Sequence, residues 1–187
     1  MSCTKLKETL NNSIYKICSD IDSYVYNPGK DYSRVRKLPA ENVISYLISQ
    51  GGSSTKCEFL DFYTLSQETP TVSALNQRRS QLKPDAFKAV FHEFTNSYME
   101  SETVQYDSNY QYIATDGSTI SFSSLPRFAS DEYYISEGHS ASGFYSMNVN
   151  ALYDLNRHIY TDALIQPAHQ KDEFAAFCSL VDRHLLV

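Results

Sequence analysis

The sequence predicts an α+β protein with a helical first part and a second part built from strands and one helix. In the first half, apolar residues recur every three or four positions, the period of a helix that buries one face. In the second half, apolar and β-branched residues gather into short runs that favour strands. Charge divides similarly: residues 1–95 carry 12 Lys and Arg against 10 Asp and Glu, and residues 96–187 carry 4 against 12. We expect two modules, residues 1–100 and 101–187, with different partners.

Composition excludes several protein classes. No apolar window approaches the roughly 18 residues of a membrane span, and the start, MSCTKLKETLNNS, lacks the apolar stretch of a signal peptide, so we expect no membrane partner and a cytoplasmic protein. The net charge of -6 argues by itself against nucleic-acid binding, but carboxylates that hold a divalent metal reverse the local field. The cysteines form no CxxC pair, which predicts reduced structural thiols at Cys3, Cys18, Cys57 and Cys178.

Three helices are expected before residue 63. Leucine and isoleucine at spacings of three and four predict the first, over residues 4–22. Pro39 near a first helical position and the Gly51-Gly52 pair bound the second. Ser54 or Thr55 caps a short third helix that runs to Phe62.

The next two helices resemble a helix-turn-helix DNA-binding module. The segment TVSALNQRRSQLK, from Thr71, predicts a helix with polar and basic side chains, and a second helix starts at Pro84. Arg and Lys contact phosphates, and Asn or Gln read adenine edges. The candidate DNA-binding residues are Asn76, Gln77, Arg78 and Arg79 on the helix, with Lys30, Arg34, Arg36 and Lys37 in a basic loop. A solvated helix face and an ordinary surface loop are the alternatives.

The segment YQYIATDGSTISF, residues 110–122, carries the candidate catalytic carboxylate. Apolar and β-branched residues predict a buried strand over residues 110–115, and Gly117 permits a tight turn before a second strand over residues 119–122. This places Asp116 at a strand exit, where ligands gather in α/β and related folds.

The rest of the chain predicts a hairpin and a final helix. A loop rich in Ser, Asp and Glu leads to strands over residues 144–155 and 158–165, joined by a tight turn at Asn156-Arg157. A helix over residues 171–185 follows, with Phe174, Phe177, Cys178 and Val181 expected inward. Three strands and a helix are the first half of a ribonuclease-H-like fold. The parallel fourth strand is missing, so we expect an unpaired sheet edge and a fold that continues past Val187.

Three stretches carry a resemblance to one family. YIATDGST around Asp116 and GFYSMNVNALYDLNRHIYTDALIQP from Gly143 are similar to the N-terminal portion of DDE transposases of the insertion-sequence-four type. SALNQRRSQLKPDAFKAVFHEF, from Ser73, resembles that family's helical DNA-binding region. The similarity covers residues 34–187, and the helix after Lys171 belongs to it.

The resemblance implies two-metal phosphoryl transfer on DNA. In that family two Asp and one Glu hold two Mg2+ (or Mn2+) ions that activate a water and then a DNA 3'-hydroxyl. Asp116 alone matches the motif, as the first Asp and a metal ligand; the second Asp and the Glu would lie beyond Val187, so the chain is expected to be inactive alone. Asp154 and Asp162, on neighbouring strands, are further candidates near Asp116, whereas Asp182 is expected on a helix. The implied partners are duplex DNA at insertion-sequence ends and a second copy or the full-length transposase.

Other enzyme classes fail on particular residues. A haloacid-dehalogenase-type phosphatase needs a nucleophilic Asp where Ala114 stands, and the histidines lack the spacing of a zinc hydrolase. No GxSxG elbow is present. Three function classes remain: a transposase piece, a non-catalytic DNA-binding or transposase-inhibiting fragment, and a structural domain without a nucleic-acid role.

Overall fold

The computed structural model describes residues 3–34, 37–66, 69–101, 110–122, 131–135 and 143–185. The chain divides into two compact units, Met1–Glu102 and Thr103–Val187. Over these described residues, the first unit is helical and the second contains an antiparallel sheet and one helix, so the protein is α+β.

The helical unit contains five helices: α1 Cys3–Cys18, α2 Ala40–Ser49, α3 Thr55–Phe62, α4 Val72–Arg79 and α5 Asp85–Ser101. All five were expected from apolar spacing and capping residues. Side-chain oxygens of Ser54 and Thr71 accept from backbone N–H groups three residues later and so fix the starts of α3 and α4. The first helix is shorter than expected, because a 3-10 turn over Ile21–Tyr24 follows it.

One apolar core holds the helical unit together. Residues from all five helices and from two connecting segments share it: Ile14, Val25, Leu38, Val43, Ile44, Tyr46, Phe59, Leu75, Leu82, Ala86 and Val90. Val25 and Leu82 also form an isolated antiparallel bridge, which joins the segment after α1 to the segment between α4 and α5. Burial raises the pKa of the Cys18 thiol to about 12, and the nearby Glu41 carboxylate adds to the effect, which supports a structural role for this cysteine. The four cysteines are free thiols.

The sheet unit contains β1 Ile113–Phe122, β2 Tyr134–Ile135, β3 Phe144–Asp154 and β4 Ile159–Pro167, followed by α6 Glu173–Leu185. β3 pairs antiparallel with β1, β2 and β4. The hairpin between β3 and β4 confirms the expected turn around Asn156-Arg157. The two-residue strand β2 lies in a segment that was expected to be loop.

The expected turn at Gly117 is wrong. β1 is one continuous ten-residue strand, and every residue of it, from Ile113 to Phe122, faces a partner on β3. Gly117 pairs with Asn150, and its φ is not positive. Glycine is therefore needed here because neighbouring side chains leave no space for a Cβ atom, and not because the backbone turns. A Cβ atom there would lie 2.8 Å from Asn150 Oδ1 and 3.3 Å from Glu173 Oε1.

The inward face of α6 also differs from the expectation. The helix buries Ala176 and Leu180 against the sheet, whereas Phe174 is 76% exposed and Phe177 39% exposed. The expectation is therefore wrong for Phe174 and Phe177, whereas Cys178 and Val181 are half-buried. In the described part of the chain no helix is long and apolar enough to cross a membrane.

Candidate functional site

Asp116 lies in the middle of β1 rather than at a strand exit. Its side chain is exposed, and its Oδ1 accepts a hydrogen bond from the backbone N–H of Gly117 at 2.8 Å. It pairs with Ala151, which in turn pairs with Ala163 on β4, so small side chains flank it across the sheet. Asp116 is thus an accessible carboxylate on an open part of the sheet.

The other aspartates of the sheet lie on the opposite face. Asp154 and Asp162 are on the face that α6 covers, because Asp162 lies opposite the buried Leu152 and its Oδ2 is 3.2 Å from Nη2 of Arg183 on α6. In an antiparallel pair, directly opposed residues point to the same face, and neighbours along a strand alternate. The expectation that Asp154 or Asp162 lies beside Asp116 is therefore wrong. Asp182 is exposed on α6, as expected.

Asp154 has a structural role. It is fully buried, and its carboxylate accepts from the backbone N–H groups of Asn156 and Arg157, each at 2.8 Å. The Gln111 amide donates at 2.8 Å and Arg157 Nη1 at 3.0 Å. Burial acts to raise the pKa of Asp154, but these hydrogen bonds outweigh it and hold the pKa below its usual value of 3.8. The carboxylate fixes the hairpin between β3 and β4.

A row of polar side chains lines the sheet beneath α6. Ser146, Asn148 and Asn150 are each at most 2% exposed. Asn148 Oδ1 accepts from Thr119, and Asn150 Nδ2 donates to Gln166, each at 3.0 Å. The opposite face carries the apolar members of β3, with Ile165 of β4 57% exposed. Among the described residues, no group of three His, Cys, Asp or Glu side chains could hold a metal ion.

In the helical unit, the two predicted basic segments come together. Lys30 and Arg34 line an open hollow of about 410 Å3 with Gln77 and Arg78 of α4. Lys37 lines a second pocket, of about 540 Å3, with the same two α4 residues. Asn76 and Arg79 are exposed on α4 but line neither pocket. Arg36, the remaining candidate, lies outside the described residues.

Arg78 differs from the other candidates because its side chain is held inside the unit. Its Nε donates to the Leu38 carbonyl and its Nη1 to Gln81 Oε1, both at 3.1 Å. The guanidinium lies 4.2 Å above the centre of the Tyr32 ring, in cation–π geometry. The Tyr32 hydroxyl in turn donates to the Arg78 carbonyl at 2.8 Å. Through these contacts, Arg78 stabilises the packing of the basic loop against α4.

Tyr32 and Gln81 belong to this arrangement and were missed by sequence reasoning. Tyr32 has a φ of 56°, in the left-handed region, which no sequence motif announces for a tyrosine. Its hydrogen bond to the Arg78 carbonyl joins residues 46 positions apart, so no local pattern could have indicated it. The Gln81 amide follows α4 directly, where a polar residue next to a basic helix end gave a weak signal.

Comparison of the chain with known proteins finds no similar protein. No family model, no curated protein and no solved structure matches the chain.

Proposed function

We propose that the protein is a DNA-binding fragment related to transposases of the insertion-sequence-four type, and that its helical unit contacts duplex DNA. The observation that carries the proposal is the meeting of the basic loop with α4. Lys30, Arg34 and Lys37 come from the loop, and α4 adds exposed Asn76, Gln77 and Arg79. Phosphate contacts from such cations supply most sequence-independent affinity, and amide side chains read base edges.

The charge distribution along the chain also supports the proposal that the helical unit contacts DNA. The first 95 residues carry the positive excess of the chain, whereas the sheet unit lies in the acidic half. Arg78 contributes by positioning, since its hydrogen bonds and its stacking on Tyr32 hold the loop against α4. We expect Arg34, Lys37 and Arg79 to make the phosphate contacts.

The salt dependence of DNA affinity tests this proposal. Each neutralised phosphate contributes about -0.9 to the slope of log affinity against log salt, so three contacts give a slope of about -3. Replacing Arg34, Lys37 and Arg79 together by Gln should weaken binding and bring the slope close to zero. Fluorescence anisotropy of a labelled duplex measures both quantities on the full chain.

The matched control is Lys88→Gln, an exposed cation on α5 that lines neither pocket. It should leave the slope unchanged. A slope near zero in the wild-type protein, or an equal loss from Lys88→Gln alone, would rule out the assigned surface.

A catalytic ancestry is the second candidate, favoured by the arrangement of the sheet. The three long strands β1, β3 and β4 pair antiparallel, with β3 in the middle. α6 packs on one face of this sheet, and Asp116 is accessible on the other. This order agrees with the first half of a ribonuclease-H-like domain. Asp116 would there supply one carboxylate to a Mg2+ or Mn2+ site that needs further acidic ligands.

Paramagnetic Mn2+ tests that role of Asp116. In wild-type protein, we expect Mn2+ to broaden the amide resonances of Gly117 and Ser118 before those of α6. The variant Asp116→Asn should lose this local broadening, because a neutral amide is a poor ligand for a hard cation. Asp182→Asn, which removes an exposed carboxylate elsewhere, is the control. Broadening that persists in Asp116→Asn would contradict the assignment.

A further inference from the structure

The hollow between the basic loop and α4 has the lining of an anion site. Its cations are Lys30, Arg34 and Arg78, and its neutral donors include the amides of Gln77 and Gln81. Asp31 is the one carboxylate among the described lining residues. Three cations and one carboxylate give the described part of the lining two net positive charges. The volume of about 410 Å3 lies within the range of ligand pockets.

The loop that brings these cations together is fixed in place before any ligand arrives. Asp31 is 5% exposed, and its Oδ2 accepts from the backbone and side-chain nitrogens of Asn27, each at 3.0 Å. The Gly29 N–H donates to Asp22 Oδ1 at 2.9 Å, with Gly29 at a φ of 72°. Tyr32 attaches the end of the loop to α4. A preorganised site loses less entropy on binding than a mobile one does.

Arg78 lines the hollow opposite the two loop cations. Its Nε and Nη1 are engaged with Leu38 and Gln81, but its buried Nη2 has no hydrogen-bond acceptor among the described residues. Because Nη2 is buried, Arg78 contributes its positive charge to the hollow rather than an exposed donor, and that charge favours a phosphate. Lys30 and Arg34 are exposed and can close on the same anion from the loop side.

We propose that this hollow binds one phosphate monoester group in its doubly charged form. The two positive charges of the lining match a monoester dianion, whereas an internal phosphodiester carries a single negative charge. Lys30 and Arg34 contact the phosphate from the loop, the Gln77 and Gln81 amides donate to it, and Arg78 adds its charge beneath them. The inference goes beyond the DNA contact proposed above and does not depend on it, because any monoester supplies the same group.

Titration of the full chain with methyl phosphate and dimethyl phosphate tests the proposal. NMR shifts of the Gly29 and Gln77 amides should follow methyl phosphate, and dimethyl phosphate should bind about tenfold more weakly because it lacks one charge. Lys30→Gln and Arg34→Gln should each weaken methyl phosphate binding about tenfold, the loss of one charge-assisted hydrogen bond. Both side chains are exposed, so neither variant should unfold the protein. Lys88→Gln is the matched control and should bind as wild type does.

The pH dependence gives a second readout. The second pKa of a phosphate monoester is about 6, so methyl phosphate should bind several-fold more weakly at pH 5.5 than at pH 7.5. Sulfate stays doubly charged and should bind equally at both values. Among the residues that the structure describes, the titratable groups lining the hollow are Lys30, Asp31, Arg34 and Arg78, and none is a histidine. If sulfate also binds more weakly at pH 5.5 than at pH 7.5, the pH dependence comes from a group on the protein. That result would overturn the assignment of a phosphate dianion.

Two outcomes separate this inference from the proposed DNA binding. Methyl phosphate binding without any affinity for duplex DNA supports the hollow and refutes the DNA contact. DNA binding with equal affinities for methyl and dimethyl phosphate overturns the hollow alone. Where both occur, a duplex with 5'-phosphates that binds about tenfold more tightly than the same duplex with 5'-hydroxyls assigns the monoester to a DNA end. Equal binding of the two duplexes assigns it to a small phosphorylated molecule.

Discussion

Replacing Asp154 by alanine is expected to destabilise the sheet unit by about 3–5 kcal/mol, the cost of breaking a buried ion pair by removing one partner. The carboxylate is fully buried and accepts four hydrogen bonds, two from the turn backbone and one each from Gln111 and Arg157. Its removal leaves these donors, including the charged Arg157, without that acceptor. Hydrogen exchange of the β3 amides in the full chain measures the loss directly.

Asp116→Asn is the control for this prediction. Asp116 lies on the same sheet but is exposed, so its substitution should change stability by no more than about 0.5 kcal/mol. Equal protection of β3 amides in wild type and Asp154→Ala would contradict the structural role of Asp154.

The lowered pKa of Asp154 also sets a pH dependence. A group whose folded pKa is depressed stabilises the protein above its unfolded pKa, about 3.9, and this contribution is lost as the pH falls through the lower folded pKa. The difference in unfolding free energy between wild type and Asp154→Asn should therefore shrink below pH 4. Urea unfolding of both proteins at several pH values isolates the effect from other carboxyl groups.

Phe59→Ala should be the most damaging change in the helical unit, at about 3–5 kcal/mol. Phe59 is 1% exposed, and its ring makes edge contacts with Tyr46 at 4.9 Å and with Tyr63 at 5.1 Å between centroids. Alanine would leave a cavity and remove both aromatic pairs. Thermal and urea unfolding monitored by helical circular dichroism would report the loss.

The neighbouring Phe62 provides the matched control on the same helix. Its ring also contacts Tyr46, with centroids 5.6 Å apart, but Phe62 is 36% exposed. Because less apolar surface returns to water, Phe62→Ala should cost about 1–2 kcal/mol. Equal losses from the two variants would contradict the larger contribution assigned to the buried Phe59 ring.

Local sequence patterns predicted most of the elements but not the course of β1. Apolar spacing and caps located all six helices, and the turn at Asn156-Arg157 located the hairpin. Gly117 was misread because an Asp-Gly pair is a strong turn signal, whereas here the glycine makes room for the Asn150 side chain of the paired strand. That neighbour lies 33 positions away, and no local signal includes it.

The candidate site was predicted in part. The residues of the basic loop and of α4 were identified from their types, but their meeting around Arg78 depends on Tyr32 and on packing between distant segments. On β3, polar Ser146, Asn148 and Asn150 alternate with apolar neighbours, and that pattern by itself favours an exposed polar face. The structure buries the polar face instead, because α6 packs on it.

The sequence by itself therefore determined the α+β class, the helices and their caps, the hairpin and the division into a more basic and an acidic half. These features depend on residues within a few positions of one another. Only the tertiary structure decided that Asp116 is an exposed mid-strand carboxylate, that Asp154 and Asp162 lie on the other face, and that Arg78 is a positioning residue. The physical reason is that burial, hydrogen-bond partners and sheet faces are set by segments that are remote along the chain.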